Sequence, residues 1–161
     1  KGYHNSFITS VFHQFIDAEN NGIQYDMYEG EWRKLPDFSK LTPVKSGRVF
    51  EIGLDKIETP KFNFAIHYKG FISIAKNGEY TFFTQSNDGS RLKIGNRIIV
   101  DNDLEHGVIE ESGKITLTPG RYPIEVNYFQ SGGNQSFAVL YQVPGVDKQL
   151  IPASVLFLNY K

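Results

Sequence analysis

The sequence predicts an all-β protein, an antiparallel β-sandwich or barrel. Three observations carry that expectation. The 161 residues include 15 Gly and 7 Pro beside 13 Phe and 9 Tyr, a composition that suits strands and turns and excludes a helical bundle. Apolar and polar residues alternate with period two in several stretches. Turn pairs then punctuate those stretches at roughly 8–12-residue spacing, with neither a βαβ alternation nor an internal repeat.

Each element can be justified in order. Phe7, Ile8, Val11, Phe12, Phe15 and Ile16 recur at spacings of one and three, the stripe of a short amphipathic helix, although their β-branched content also suits strands. Asn21-Gly22 is a turn signal, so residues 1–21 read as an N-terminal extension or linker and 22–161 as the β-sandwich domain. Ile23, Tyr25 and Met27 alternate with polar neighbours as one strand. Glu29 to Pro43 is irregular and is expected to wrap over the sheet and plug its edge with Trp32, Leu35 and Phe38. Strands follow over Phe62–Ile74 and Glu79–Thr84. Arg91–Ile94 and Arg97–Val100 flank Gly95-Asn96, a two-residue hairpin signature. Ile115–Leu117, Tyr122–Phe129 and Phe137–Gln142 complete the series.

Charge and motif content narrow the function. Seventeen basic and eighteen acidic residues leave a formal charge of −1, without the basic excess of a nucleic-acid binder. No apolar run approaches the roughly 18 residues of a membrane-spanning helix, so membrane insertion is not expected. With no Cys there is no disulfide, thiolate metal site or thiol nucleophile. The chain starts at Lys1 without a visible signal peptide and reads as a piece of something longer. Four His (His4, His13, His67 and His106) lie outside any hydrolase or metalloprotease motif, and His67 reads as structural. Glu110 and Glu111 are adjacent on a strand pattern and point to opposite faces, a poor glycosidase pair. Catalysis by this chain is therefore not expected.

Three polar loops are the candidate chemistry. Ser86-Asn87-Asp88-Gly89-Ser90 and Asp101-Asn102-Asp103-Leu104-Glu105-His106-Gly107 offer oxygens to a hard cation, although such residues also serve ordinary turns. Asp101-x-Asp103 lacks the remaining positions of an EF-hand. Gln130 to Ser136 carries amides and hydroxyls between Tyr128, Phe129 and Phe137, which suits either a sugar-reading loop or a hairpin connection.

Several stretches together carry a resemblance. Gly22 to Trp32 with Leu35-Pro36-Asp37-Phe38, then Asn77-Gly78-Glu79-Tyr80-Thr81-Phe82 and Ser86-Asn87-Asp88-Gly89-Ser90-Arg91-Leu92-Lys93-Ile94, occur in a familiar order. Val100-Asp101-Asn102-Asp103, His106-Gly107, Pro119 to Val126 and Tyr128-Phe129 continue it. From Gly22 to Phe157 the chain resembles the bacterial carbohydrate-binding branch of the PA-fourteen family, lectin-like domains named after anthrax protective antigen. The resemblance implies a β-sandwich that binds glycans without turning them over, grafted onto glycoside hydrolases and other secreted, periplasmic or cell-surface proteins.

In sugar-binding adhesins of that family, two consecutive Asp joined by a cis peptide hold a calcium ion that contacts ligand hydroxyls. The matching positions here are Asn87 and Asp88, so an amide replaces the first carboxylate. The adhesins' later Asn falls near Gln130. The resemblance thus implies carbohydrate contacts from Asn87, Asp88, His106, Gln130 and Asn134, a calcium held by Asn87 and Asp88, and a second rim at Asp101 and Asp103. Trp32 or a Tyr would add a stacking face, although Trp32, beside Leu35-Pro36, is expected to pack against the sheet. The implied partners are a glycan and the domains of a parent enzyme. The alternative is a structural or protein-contact domain that orients or assembles a larger enzyme without binding sugar.

Overall fold

Alternating segments of the sequence pair into two antiparallel sheets in the computed structural model, which describes residues 16–161. The strands are β1 (Ile23–Glu29), β2 (Lys45–Val49), β3 (Phe64–Ile74), β4 (Gly78–Asn87), β5 (Ser90–Ile94) and β6 (Arg97–Asn102). They continue as β7 (Ile109–Leu117), β8 (Gly120–Gln130), β9 (Ser136–Gln142), β10 (Gln149–Leu150) and β11 (Leu156–Phe157). The larger sheet runs β2-β1-β3-β8-β5-β6, with β11 beside β3, and the smaller runs β10-β9-β4-β7. This is the all-β sandwich that the sequence predicts. The proposed helix or strand pair over Phe7–Phe15 lies outside the described residues.

Period-two alternation sends one face of each sheet into a shared core. Tyr25, Phe64, Ile66, Tyr68, Ile72, Ile124, Val126 and Tyr128 from the larger sheet meet Tyr80, Phe82, Val139 and Tyr141 from the smaller. Full burial of such a side chain contributes about 1.5–3 kcal/mol. Tyr128 stacks on Phe137 across the gap, ring centroids 4.6 Å apart.

A second, smaller core sits on the opposite face of the larger sheet. Ala65 and Phe129 point outward from the central strands and are covered by Leu35, with Trp32 and Phe38 packed beside them. Phe38 also stacks on His67, at 5.2 Å between centroids, which gives His67 a structural place. The Glu29–Pro43 segment therefore wraps over the sheet as expected, but it covers a face rather than plugging an edge. The edge of β1 is instead taken by β2, paired from Ile23↔Val49 to Met27↔Lys45. The apolar Ala65–Phe129 patch explains the difference, because left bare it would expose hydrophobic surface.

On the far side, β6 of the larger sheet and β7 of the smaller come together. An ideal Cβ on Gly113 would fall 1.7 Å from the Ile99 carbonyl oxygen, so only glycine permits this approach. Gly107 by contrast has open space around its Cβ position. Gly113→Val should cost about 3 kcal/mol in urea denaturation by overpacking, whereas Gly107→Ala should stay within about 0.5 kcal/mol of the parent.

Candidate functional site

Three chain crossovers between the sheets share one end of the sandwich. Asp88-Gly89 carries the chain from β4 to β5, residues 103–108 from β6 to β7, and residues 131–135 from β8 to β9. The registers fix this coincidence: Ser90 pairs with Asn102 and Tyr128, and Asn87 pairs with Ser136. Gly89 is required where the loops converge, since a Cβ there would lie 2.5 Å from the Phe129 ring and 3.0 Å from Asp103 Oδ1.

Asp88 is the hub. Its side chain is buried, and its Oδ1 accepts the His106 backbone N–H at 3.1 Å. Oδ2 accepts the Ser131 and Gly132 N–H groups at 2.8 and 3.3 Å. One carboxylate thereby ties the first crossover to the other two, through bonds roughly twice as strong as neutral ones. The Asn87–Asp88 peptide is cis. The Tyr128 hydroxyl donates to the Asn87 carbonyl and also faces Gln130 Oε1 at 3.2 Å. Burial first, then the nearby Asp88 charge, push the Tyr128 phenol far above its usual range, so it stays a neutral donor.

The layer beneath is polar although it lies between the sheets. Ser90 Oγ meets Ser86 Oγ at 2.7 Å and Thr84 Oγ1 at 2.9 Å. Asn102 Nδ2 donates to the Ile109 carbonyl at 2.9 Å and reaches Thr84 O and Ser86 Oγ at 3.3 Å. All four side chains are buried, so this network pins the ends of β4, β5, β6 and β7 under the loops. Sequence reasoning missed it. The signal was the inward face of β4, where Tyr80 and Phe82 give way to Thr84 and Ser86.

The structure brings Asn87, Asp88, His106, Gln130 and Asn134 to this one end but gives them different surroundings. Gln130 is 1% exposed, and its Nε2 donates to the Gly132 and Gly133 carbonyls at 3.0 Å each. The His106 ring is held against the Asn102 and Gly107 carbonyls at 2.9 and 2.7 Å. Both side chains shape the loops. Asn87 is half-buried, with its amide beside Gly133, while Asn134 is exposed at the loop tip. Asp103 accepts from Leu35 N at 2.8 Å and from Leu104 N at 2.7 Å, binding the 30–41 segment to the second crossover. Asp101 is exposed and pairs with Arg91 at 3.2 Å. Ser131 and Glu105, which the sequence places in two of the candidate polar loops, join the second and third crossovers by a 2.6 Å hydrogen bond.

Calcium takes six to eight oxygen ligands, usually with several carboxylates. Here Asp88 is engaged by three N–H groups, and the Gln130 amide occupies the Gly132 and Gly133 carbonyls. Among the described residues no three His, Cys, Asp or Glu side chains gather as a metal site. A calcium at Asn87 and Asp88 would have to share Asp88 with those N–H groups.

The sandwich and its cluster of inter-sheet loops define a lectin-like β-sandwich. The sequence pattern of the PA14 domain matches residues 52–154, and the chain belongs to the PA14 domain family. It is 36% identical over 144 residues to "Anti-sigma-I factor RsgI3" of Acetivibrio thermocellus, a match covering 86% of this chain and 22% of that protein. A solved "anti-sigma factor domain-containing protein" superposes with a TM-score of 0.76 at 25% identity, over 90% of this chain and 50% of the other. A "PA14 sugar-binding domain from RTX adhesin" gives a TM-score of 0.71 at 14% identity, over 86% of this chain and 99% of the other, a likeness of fold alone. The chain thus spans only about a fifth of its curated relative (22%) and half of the first solved one.

Asp88→Ala would leave three backbone N–H groups without their acceptor. It should lower stability by about 3 kcal/mol in chemical denaturation and speed amide exchange at His106, Ser131 and Gly132. Asp101→Ala, which removes an exposed ion pair, should stay within about 0.5 kcal/mol.

Proposed function

We propose that this chain is a carbohydrate-binding module of a longer protein, one that captures glycan without chemically changing it. The observation that carries the reading is the convergence of three crossovers on Asp88. It gives the exposed polar groups around Asn87 and Asn134 a fixed arrangement. Preorganised donors and acceptors suit sugar hydroxyls, because a rigid site loses little conformational entropy on binding. A solved PA14 neighbour named for sugar binding supports the same ligand class. Given the donor arrangement around Asp88, sugar contacts come from the exposed amides and backbone groups of the loops, without calcium. The module works where polysaccharide is met, outside the cytoplasm, as part of a secreted or cell-surface protein.

The relatives favour a regulator over a glycan-degrading enzyme as the parent. Two of the matches reported above bear anti-sigma names, and one is 36% identical over most of this chain. In that setting glycan capture serves as an input signal rather than an anchor for catalysis. A protein-contact role without sugar binding is the competing reading.

A glycan array followed by calorimetry, run with calcium and with chelator, tests both parts. The expected result is binding to at least one glycan class with equal affinity in the two conditions. Binding only with calcium would overturn the metal-free contact. Binding in neither condition would leave the protein-contact reading.

A further inference from the structure

The 30–41 segment and Leu104 of the second crossover border an open groove of about 590 Å³ beside the candidate site, lined in part by Trp32, Arg33, Lys34, Leu35 and Asp37. That volume lies within the roughly 300–1,000 Å³ of small-ligand pockets. Its walls are anchored. Leu35 is buried over Ala65 and Phe129, its N–H donates to Asp103 Oδ1 at 2.8 Å, and the Glu105 N–H donates to the Arg33 carbonyl at 3.2 Å. The groove also shares a wall with the Asp88 hub. A Cβ on Gly89, the next residue, would lie 3.0 Å from both Asp103 Oδ1 and Leu104 N.

Two features of this groove are not accounted for by packing alone, although Trp32 also rests against the Leu35–Ala65–Phe129 core. Leu104 is 60% exposed and has φ 78°, the one residue other than Gly or Asn in the left-handed region among the described residues. A leucine gains no burial energy there, and its Cβ disfavours that backbone conformation. Trp32 is folded over Gly30, where a Cβ would come within 2.6 Å of the indole. Its ring is only half-buried, and it lines the groove together with Arg33, Lys34 and Asp37.

We propose that this groove is a second sugar subsite, so that the module takes a run of linked sugars rather than a single terminal one. The inference rests on the glycan-binding reading. A pyranose ring carries a face of C–H bonds that packs on the indole and on Leu104. Its hydroxyls reach the Arg33, Lys34 and Asp37 groups at the rim. Leu104 lies on the same crossover as His106, whose N–H is held by Asp88, so the two places are neighbours on one loop.

Trp32 is the sole tryptophan of the chain, so its fluorescence reports the groove directly. The chain would be titrated with xylo-, cello-, manno- and galacto-oligosaccharides, each from monosaccharide to hexamer. For the sugar series that binds, trimers and longer should shift Trp32 emission, and affinity should rise by about tenfold or more from monosaccharide to trimer. Leu104→Gly suits the left-handed backbone and keeps the fold, and should shrink that length gain to under about twofold. Binding with unchanged emission and no length dependence would overturn the second subsite while leaving glycan binding intact. Failure of every sugar to bind would remove both.

Discussion

A single buried carboxylate holds the working end of this protein together. Asp88 receives N–H groups from positions 18, 43 and 44 residues further along the chain. A charge so enclosed is costly to desolvate, and its three hydrogen bonds offset that cost only while all three loops stay in place. The dependence runs both ways, since the loops carry backbone donors that need an acceptor. Gly89, Tyr128 and Gln130 read most simply as fittings around this contact. One leaves room for the Phe129 ring, one caps the Asn87 carbonyl, and one gathers the Gly132 and Gly133 carbonyls.

The sandwich below serves mainly to bring three distant crossovers to the same end. Its apolar core stops short of that end, and Thr84, Ser86, Ser90 and Asn102 replace it with a hydrogen-bonded layer. Such a layer sets strand ends by direction as well as by contact, which an apolar core does not. The outer core of Leu35, Ala65 and Phe129 extends the same platform sideways, carrying Trp32 and the groove beside it.

Much of this fold was legible in the sequence, and what was missed shares a cause. Strands with one buried face announce themselves by alternation, as β1, β3, β4 and β8 do. The β2 sequence Lys-Ser-Gly-Arg-Val buries only Val49, and the first residues of β7, Ile109 to Ser112, are all exposed, so β2 has no pattern to read and β7 shows one only at Ile115–Leu117. At the site, Asn87-Asp88-Gly89 reads locally as an oxygen-bearing loop or an ordinary turn, and the ordered resemblance along the chain is what separates the two. Gln130 shows the opposite problem. A polar residue engaged by backbone groups and one facing solvent are the same letter, and burial alone separates them.

The central claim, that glycan recognition occurs where the crossovers meet, is tested most directly by backbone amide chemical-shift mapping with the tightest-binding glycan. The account predicts that the largest shifts fall at 87–89, 104–107 and 131–134, continuing into 32–35. Largest shifts at the opposite end, around the turns at Asn77-Gly78, Gly95-Asn96 and Pro119-Gly120, would contradict it.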